Sequence, residues 1–254
     1  MPVISAKGGS GKTMLAANLA WQMAEAGRRV LAIDLDPQNA LRFHLGTGPA
    51  HDAFGLTVAA RGDCTWAQAV QPARGGVVLL PYGPTDDVQQ IAFEQQLAQQ
   101  PLWLSGALQA LRLPAEAIVV IDTPPGPSVY VQQVLRIAHV ALMALLSDAG
   151  SFATRAIMER MLDTYARGRA AYVGTGYVVN QVDVGKRLNR DVLASFRHQL
   201  GGDLLGVVHL DQAVGEALAA TLPVARYAPH SQAAHDLAAC ARRTLARLQD
   251  ARAL

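Results

Sequence analysis

The residues best suited to chemistry lie near the start of the chain, in Lys7-Gly8-Gly9-Ser10-Gly11-Lys12-Thr13. Glycines let successive backbone N–H groups turn toward one point, and a helix that follows adds its positive end. Together they cradle phosphate oxygens. Lys12 is placed to neutralise charge on the outer phosphates, and the Thr13 hydroxyl to ligate Mg²⁺ directly. The spelling departs from the commoner G-x-x-x-x-G-K-[ST] loop, because Ala6 stands where its first glycine would be. A loop that holds one nucleotide needs one lysine, so Lys7 calls for a separate role.

Three carboxylates extend the pattern. Asp34 and Asp36, in Asp-Leu-Asp-Pro-Gln, are two residues apart; on a strand that spacing sends both the same way. Two like charges side by side are costly without a metal, water or lysine close by. Asp36 also fits the N-cap of a following helix. Asp122 ends the apolar run Ile118–Ile121 and opens Asp-Thr-Pro-Pro-Gly, where a carboxylate can hold Mg²⁺-bound water.

These residues need elements to carry them. A strand over Val3–Ser5, a helix from Lys12 to about Ala26 and Gly27 as its C-terminal glycine are expected. Further buried strands are predicted within Val30–Asp36, Val77–Gly83, Ala117–Gly126, His139–Asp148, Ala171–Asp183 and Leu204–Asp211. Their apolar runs are continuous rather than alternating, as in parallel strands covered by helices on both faces. Several end on Asp or Asn, and ligands of open α/β sheets bind beyond the carboxyl ends of the strands. The fold class is α/β, a doubly wound, mostly parallel sheet flanked by helices. Val88–Gln100 reads as a helix with a solvated polar face. No repeat or linker divides residues 1–254, which read as one domain. The first strand is short, so either it is brief or the natural start lies upstream of Met1.

Composition sets outer bounds. With 51% hydrophobic and 17% charged residues the chain suits a large buried core, and a net charge of +2 makes no global demand for nucleic acid. The longest apolar run, Val140–Leu146, falls far short of the roughly 20 residues that span a bilayer. Cys64 and Cys240 lie in no metal-like or CxxC spacing and read as reduced thiols. His44, His51, His139, His198, His209, His230 and His235 show no ligand spacing, so no transition metal is expected. Trp21, Trp66 and Trp103 read as packing residues.

Lys-Gly-Gly-Ser-Gly-Lys-Thr, Asp-Leu-Asp-Pro-Gln and Asp-Thr-Pro-Pro-Gly together resemble the ParA/MinD family of deviant Walker-A ATPases, over nearly the whole chain. That resemblance implies a P-loop NTPase with ATP and Mg²⁺ as cofactors, slow hydrolysis, and an ATP-sandwich homodimer. Lys7 would reach the partner's phosphates, and Asp34 would lie near the attacking water. Asp36 would be the switch acid and Asp122 the Walker-B acid, both holding Mg²⁺ through water. Gly8, Gly9, Ser10, Gly11, Lys12, Thr13 and Met14 would line the nucleotide. Asn180 would contact adenine, and the stretch with Pro223, Tyr227 and Pro229 would close over the base. Asn180 and Asp183 also match a guanine-reading N-K-x-D pattern with Gln181 in place of lysine, so guanine stays open. Ser10 replaces a small apolar residue and Met14 a second threonine, and His209-Leu210-Asp211-Gln212 departs from a more charged pattern.

Peripheral strings such as Asn39–Gly46 and Pro124–Gln133 resemble the cellulose-biosynthesis branch of that family. They imply a cytoplasmic ATPase recruited peripherally to the inner membrane by cytoplasmic components of the cellulose synthase complex. Two other readings compete. A DNA-partitioning ATPase would need a basic strip, for which Lys186, Arg187, Arg190 and Arg197 are the candidates. A membrane-binding ATPase would need an amphipathic tail, and Leu237–Leu254 reads instead as a core-packing helix. Nucleic acid and direct membrane insertion are therefore not expected.

Overall fold

Strands and helices alternate along the chain in the computed structural model, which describes residues 1–47 and 53–250. The order is β1 (Pro2–Ile4), α1 (Lys12–Glu25), β2 (Val30–Asp34), α2 (Leu41–His44), α3 (Leu56–Ala60), α4 (Trp66–Ala69), β3 (Gln71–Pro72), β4 (Val78–Leu80), α5 (Asp87–Gln99) and α6 (Trp103–Ala110). It continues with β5 (Ile118–Asp122), α7 (Val129–Leu135), β6 (Val140–Leu146), α8 (Ala149–Tyr165), β7 (Gly174–Val182), α9 (Arg187–Leu200), β8 (Leu204–His209), α10 (Gln212–Ala219), α11 (Val224–Tyr227) and α12 (Gln232–Asp250). His51 and residues 251–254 of the expected tail lie outside the described residues.

The strands form one sheet in the order β3-β4-β2-β5-β1-β6-β7-β8. Every pairing is parallel except that of β3 with β4. β1 sits between β5 and β6, so strand order reverses around it and opens a crevice at its carboxyl end. Alternate side chains feed two apolar layers. Val3, Ala32 and Val120 face α1 and α12, while Ile4, Leu31, Ile33 and Ile121 face α5, α7 and α8. This double burial is why the strands read as unbroken apolar runs.

The structure departs from the sequence expectation in two places. β2 stops at Asp34 rather than Asp36: Leu35 N–H still makes the last ladder bond, to the Asp122 carbonyl at 3.0 Å, but Asp36 N–H turns to the Asp34 side chain at 3.0 Å. The antiparallel β3 has only two residues, one of them proline, and carries no strand pattern of its own. Helix α12 places Ala233, Ala234, Leu237, Cys240, Ala241 and Thr244 in the interior, so the C-terminal stretch packs on the core up to Asp250.

Candidate functional site

The glycine loop leaves β1 and enters α1 with Gly9 at φ +73° and Gly11 at φ +79°, in the region that glycine tolerates. At Gly11 the need is also steric, since a Cβ there would lie 2.2 Å from Asn180 Nδ2. The loop's carbonyls are tied outward. Gly126 N–H donates to Ser5 O (2.8 Å), Asn180 Nδ2 to Ser10 O (2.9 Å) and Gln181 Nε2 to Gly9 O (2.9 Å). Helix α1 has no side-chain cap and no acid in its first turn. Its orphan N–H groups therefore face the crevice, an arrangement that favours an anion. Lys12 is buried there, and burial lowers its pKa although Asp122 and Asp36 pull it back up. The Ser10 hydroxyl is buried without a partner among the described residues.

Asp34 and Asp122 end neighbouring strands in direct register and are both fully buried. Burial and the Asp122 charge push the Asp34 carboxyl well up. Both of its oxygens already accept backbone hydrogen bonds, from Asp36 N–H (3.0 Å) and Leu41 N–H (2.9 Å). Asp34 thus shapes the loop that carries Asp36 and caps the start of α2. Asp36 sits past the strand end, half-buried, near enough for its charge to raise Asp34 and Asp122, and accepts from Gln38 N–H at 3.0 Å. Burial also raises Asp122, with Thr13 and Lys12 opposing it and Asp36 adding to it. The Thr13 hydroxyl lies beside Asp122, yet among the described residues neither Asp122 oxygen has a hydrogen bond of full geometry. Two orphaned oxygens facing Thr13 and Lys12, beside an uncapped helix, fit a hydrated Mg²⁺ with a nucleotide's phosphates.

Lys7 turns to its own chain. Its Nζ lies 3.2 Å from Asp148 Oδ2, and both side chains are more than a third exposed. Asp148 caps α8 through Ser151 N–H (2.6 Å). A Cβ at Gly150 would fall 2.6 Å from Lys7 Nζ, so glycine leaves room for the lysine at that turn.

Lys7, Gly8, Gly9, Ser10, Gly11, Lys12, Thr13, Asp34, Asp36, Asp122 and Asn180 thus converge on the carboxyl end of the sheet. The Met14 side chain does not; it is buried in the apolar core beneath α1, because it lies on the inward face of the helix. Asn180 spends its amide nitrogen on the loop carbonyl. Pro223 is buried and precedes α11, whose Val224 N–H donates to Asn18 Oδ1 on α1 (2.8 Å). Tyr227 is exposed and its hydroxyl reaches Glu216 at 3.3 Å, while Pro229 is exposed. Their contacts run to α1 and α10 rather than to the glycine loop. Asp183 accepts from Gly185 N–H and pairs with Lys186, which engages the carboxylate a guanine reader would need. The sequence reading missed Asp148 and Asn18, and met Gln181 only in the lysine place of the guanine-reader pattern, not as a partner of the loop; no spacing rule marks contacts that only folding makes.

A protein-family model described as cellulose biosynthesis protein BcsQ matches residues 1–245. The chain belongs to the BcsQ family. BcsQ of Salmonella typhimurium is 26% identical over 233 residues, covering 91% of this chain and 88% of the relative. The chromosome-partitioning ATPase Soj of Thermus thermophilus is 30% identical over 257 residues, covering 96% and 94%. Among solved structures, septum site-determining protein MinD of Pyrococcus horikoshii with Mg-ADP superposes with a TM-score of 0.76 at 22% identity, covering 98% of this chain and 97% of that one. A plasmid partition protein of Borrelia burgdorferi bound to AMPPNP gives 0.80 at 14% identity, covering 97% and 98%. This BcsQ-family chain is therefore a MinD/ParA-like P-loop ATPase by family and by fold.

Proposed function

We propose that the protein is an ATP-driven dimerisation switch that regulates or localises the cellulose synthase complex from the cytoplasmic face of the inner membrane. The observation that carries this reading is Lys7, a half-exposed ammonium at the mouth of a phosphate loop that already has Lys12. In this reading Lys12, Thr13 and the loop N–H groups from Gly8 onward hold the protomer's own nucleotide. Asp36 and Asp122 would hold the metal through water. Bound Mg²⁺ would supply positive charge against the phosphate oxygens. Lys7 would leave Asp148 and place its charge against the partner's phosphates, as an arginine finger does in other NTPases. A cavity of about 450 Å³, lined by Val182, Asp183, His209 and Leu210 beyond the ends of β7 and β8, is the space we assign to the base.

The cellulose assignment rests on the BcsQ match over residues 1–245. Recruitment would be through protein partners: among the described residues no helix is long and apolar enough to cross a membrane. The similarity to Soj favours DNA partitioning as the second reading. Against it, the charge of the candidate basic strip is partly offset by neighbours at the surface. Lys186 pairs with Asp183, Arg187 with Asp191, and Arg190 donates to the Val184 and Gly185 carbonyls.

The deciding experiment loads the Asp36→Ala variant, expected to trap the ATP dimer, with ATP-Mg²⁺. It is offered detergent-solubilised cellulose synthase complex and non-specific duplex DNA side by side. Capture by the synthase complex alone supports the switch; salt-sensitive capture by DNA alone replaces it with a partition ATPase. Sedimentation of Lys7→Ala in ATP-Mg²⁺ tests the dimer. It should remain monomeric while binding nucleotide, and dimerisation equal to the parent's would remove Lys7 from the mechanism.

A further inference from the structure

Consecutive residues of a strand point to opposite faces, yet Asn180 and Gln181 at the end of β7 both reach the same loop. Their amide nitrogens donate to adjacent carbonyls, Ser10 O and Gly9 O, each at 2.9 Å. The backbone makes this possible. Gln181 sits at φ +54°, in the left-handed region that side-chain-bearing residues seldom enter. The β7–β8 ladder shifts register between Val179 and Val182, so a bulge lies under the pair. A strained residue persists only where its surroundings over-determine it, and such residues gather at functional sites.

Both donors act on carbonyls of a loop whose N–H groups must all turn inward to hold phosphate. Each peptide unit is rigid, so pinning a carbonyl outward turns the N–H of the next residue the other way. Holding Gly9 O orients Ser10 N–H, and holding Ser10 O orients Gly11 N–H. Asn180 is buried and secures one of them; Gln181 is exposed and secures the other from the rim. A rim hydrogen bond in contact with water adds little to folding, so its strained placement needs another account.

We propose that Gln181 is a positioning residue for the nucleotide: through Gly9 O it holds the phosphate loop in its anion-binding shape, and the bulge in β7 exists to aim it there. This rests on the reading of the loop as a nucleotide site and adds to it a rim residue of the guanine-reader pattern put to a different use.

Isothermal titration with ADP-Mg²⁺ and thermal melting without ligand, on the full chain, test the proposal. Gln181→Gly removes the amide and the backbone strain together. It should melt no lower than the parent yet bind ADP about three- to tenfold more weakly, the span that one modest hydrogen bond commands. Gln181→Lys restores a long donor at the same position and should recover most of that affinity. Equal ADP affinity in the parent and Gln181→Gly overturns the clamp. So does a loss of affinity that Gln181→Lys fails to rescue and that follows a lowered melting temperature, since that marks a merely structural residue. A parent that binds no ADP is a different result: it overturns the nucleotide reading itself, and the clamp with it.

Discussion

Lys7 and Asp148 face each other across the mouth of the phosphate loop, and their bond sets a threshold for any role of Lys7 toward a second copy of the chain. Both groups are well exposed, and pairs of this kind contribute about 0.2–1 kcal/mol. Asp148→Asn removes the charge while leaving an oxygen to cap Ser151. In ATP-Mg²⁺ it should dimerise at lower protein concentration, by up to about fivefold per latch released. An unchanged midpoint in sedimentation would mean that the pair does not hold Lys7 in solution. Burial pushes the Asp148 carboxyl up, but Ser151 N–H and Lys7 outweigh it and leave it below the usual value. A depressed carboxylate gives its stability above the unfolded value near pH 4 and loses it only as the pH falls through the folded one. The latch therefore stays closed throughout the neutral range, and added salt rather than pH should loosen it.

Elements, more than single residues, mark how far the sequence could be read. Each parallel strand is one apolar run and each helix one break in it, so seven strands and the glycine loop were legible from pattern. The end of β2 was not, because Leu35 continues the apolar run while the next N–H, that of Asp36, leaves the ladder for the Asp34 carboxylate. Legibility of the site divides the same way. Gly8–Thr13 and Asp122 are marked by local spelling, whereas the contact of Gln181 with the loop depends on a bulge that no composition announces. The altered His209–Gln212 segment, left open by sequence, has a structural task. Asp211 Oδ1 accepts Ala213 N–H and Oδ2 accepts Ala233 N–H, both at 3.0 Å, so one carboxylate caps α10 and the start of α12. His209 is fixed beside it by Asp236 at 2.8 Å. Asp211→Ala should cost about 1–2 kcal/mol in urea unfolding, the usual value of a lost cap. The Ala233 and Ala213 N–H groups hold the Asp211 carboxyl below its ordinary value. The difference between parent and variant should then be full above about pH 4 and shrink as acid protonates the parent. A variant as stable as the parent at pH 7 would mean that the two helices find other caps.

At the scale of the whole molecule, the sheet closes on a pair of acids that folding alone does not reward. Asp34 and Asp122 stand in register on adjacent central strands, without access to solvent, and Asp122 has no full hydrogen bond to offset its burial. Burial drives both carboxyls up, Asp34 with the push of Asp122 and Asp122 with that of Asp36. A raised carboxylate has the opposite pH dependence from Asp148 or Asp211. The folded state holds its proton more tightly than the unfolded chain does. This contribution to stability is therefore intact in acid and is lost as the pH climbs from about 4 toward neutrality. Without nucleotide, Asp122→Asn should consequently melt higher than the parent at pH 8. What the substitution relieves is the buried charge, worth about 1.4 kcal/mol for each pH unit by which burial raises the carboxyl, and each kcal/mol is worth roughly 2–4 °C in a domain of this size. The gap should narrow at pH 5 and close below about pH 4, where the carboxyl is protonated in the unfolded chain too. With ATP-Mg²⁺ the order should reverse at pH 8, since only the parent gains stability from the ligand. Stability given up in the empty state and regained with ligand marks a site built for that ligand. If Asp122→Asn melts below the parent at pH 8 without ligand, the carboxylate is a structural member of the sheet. Its place in the nucleotide site would then rest on position alone.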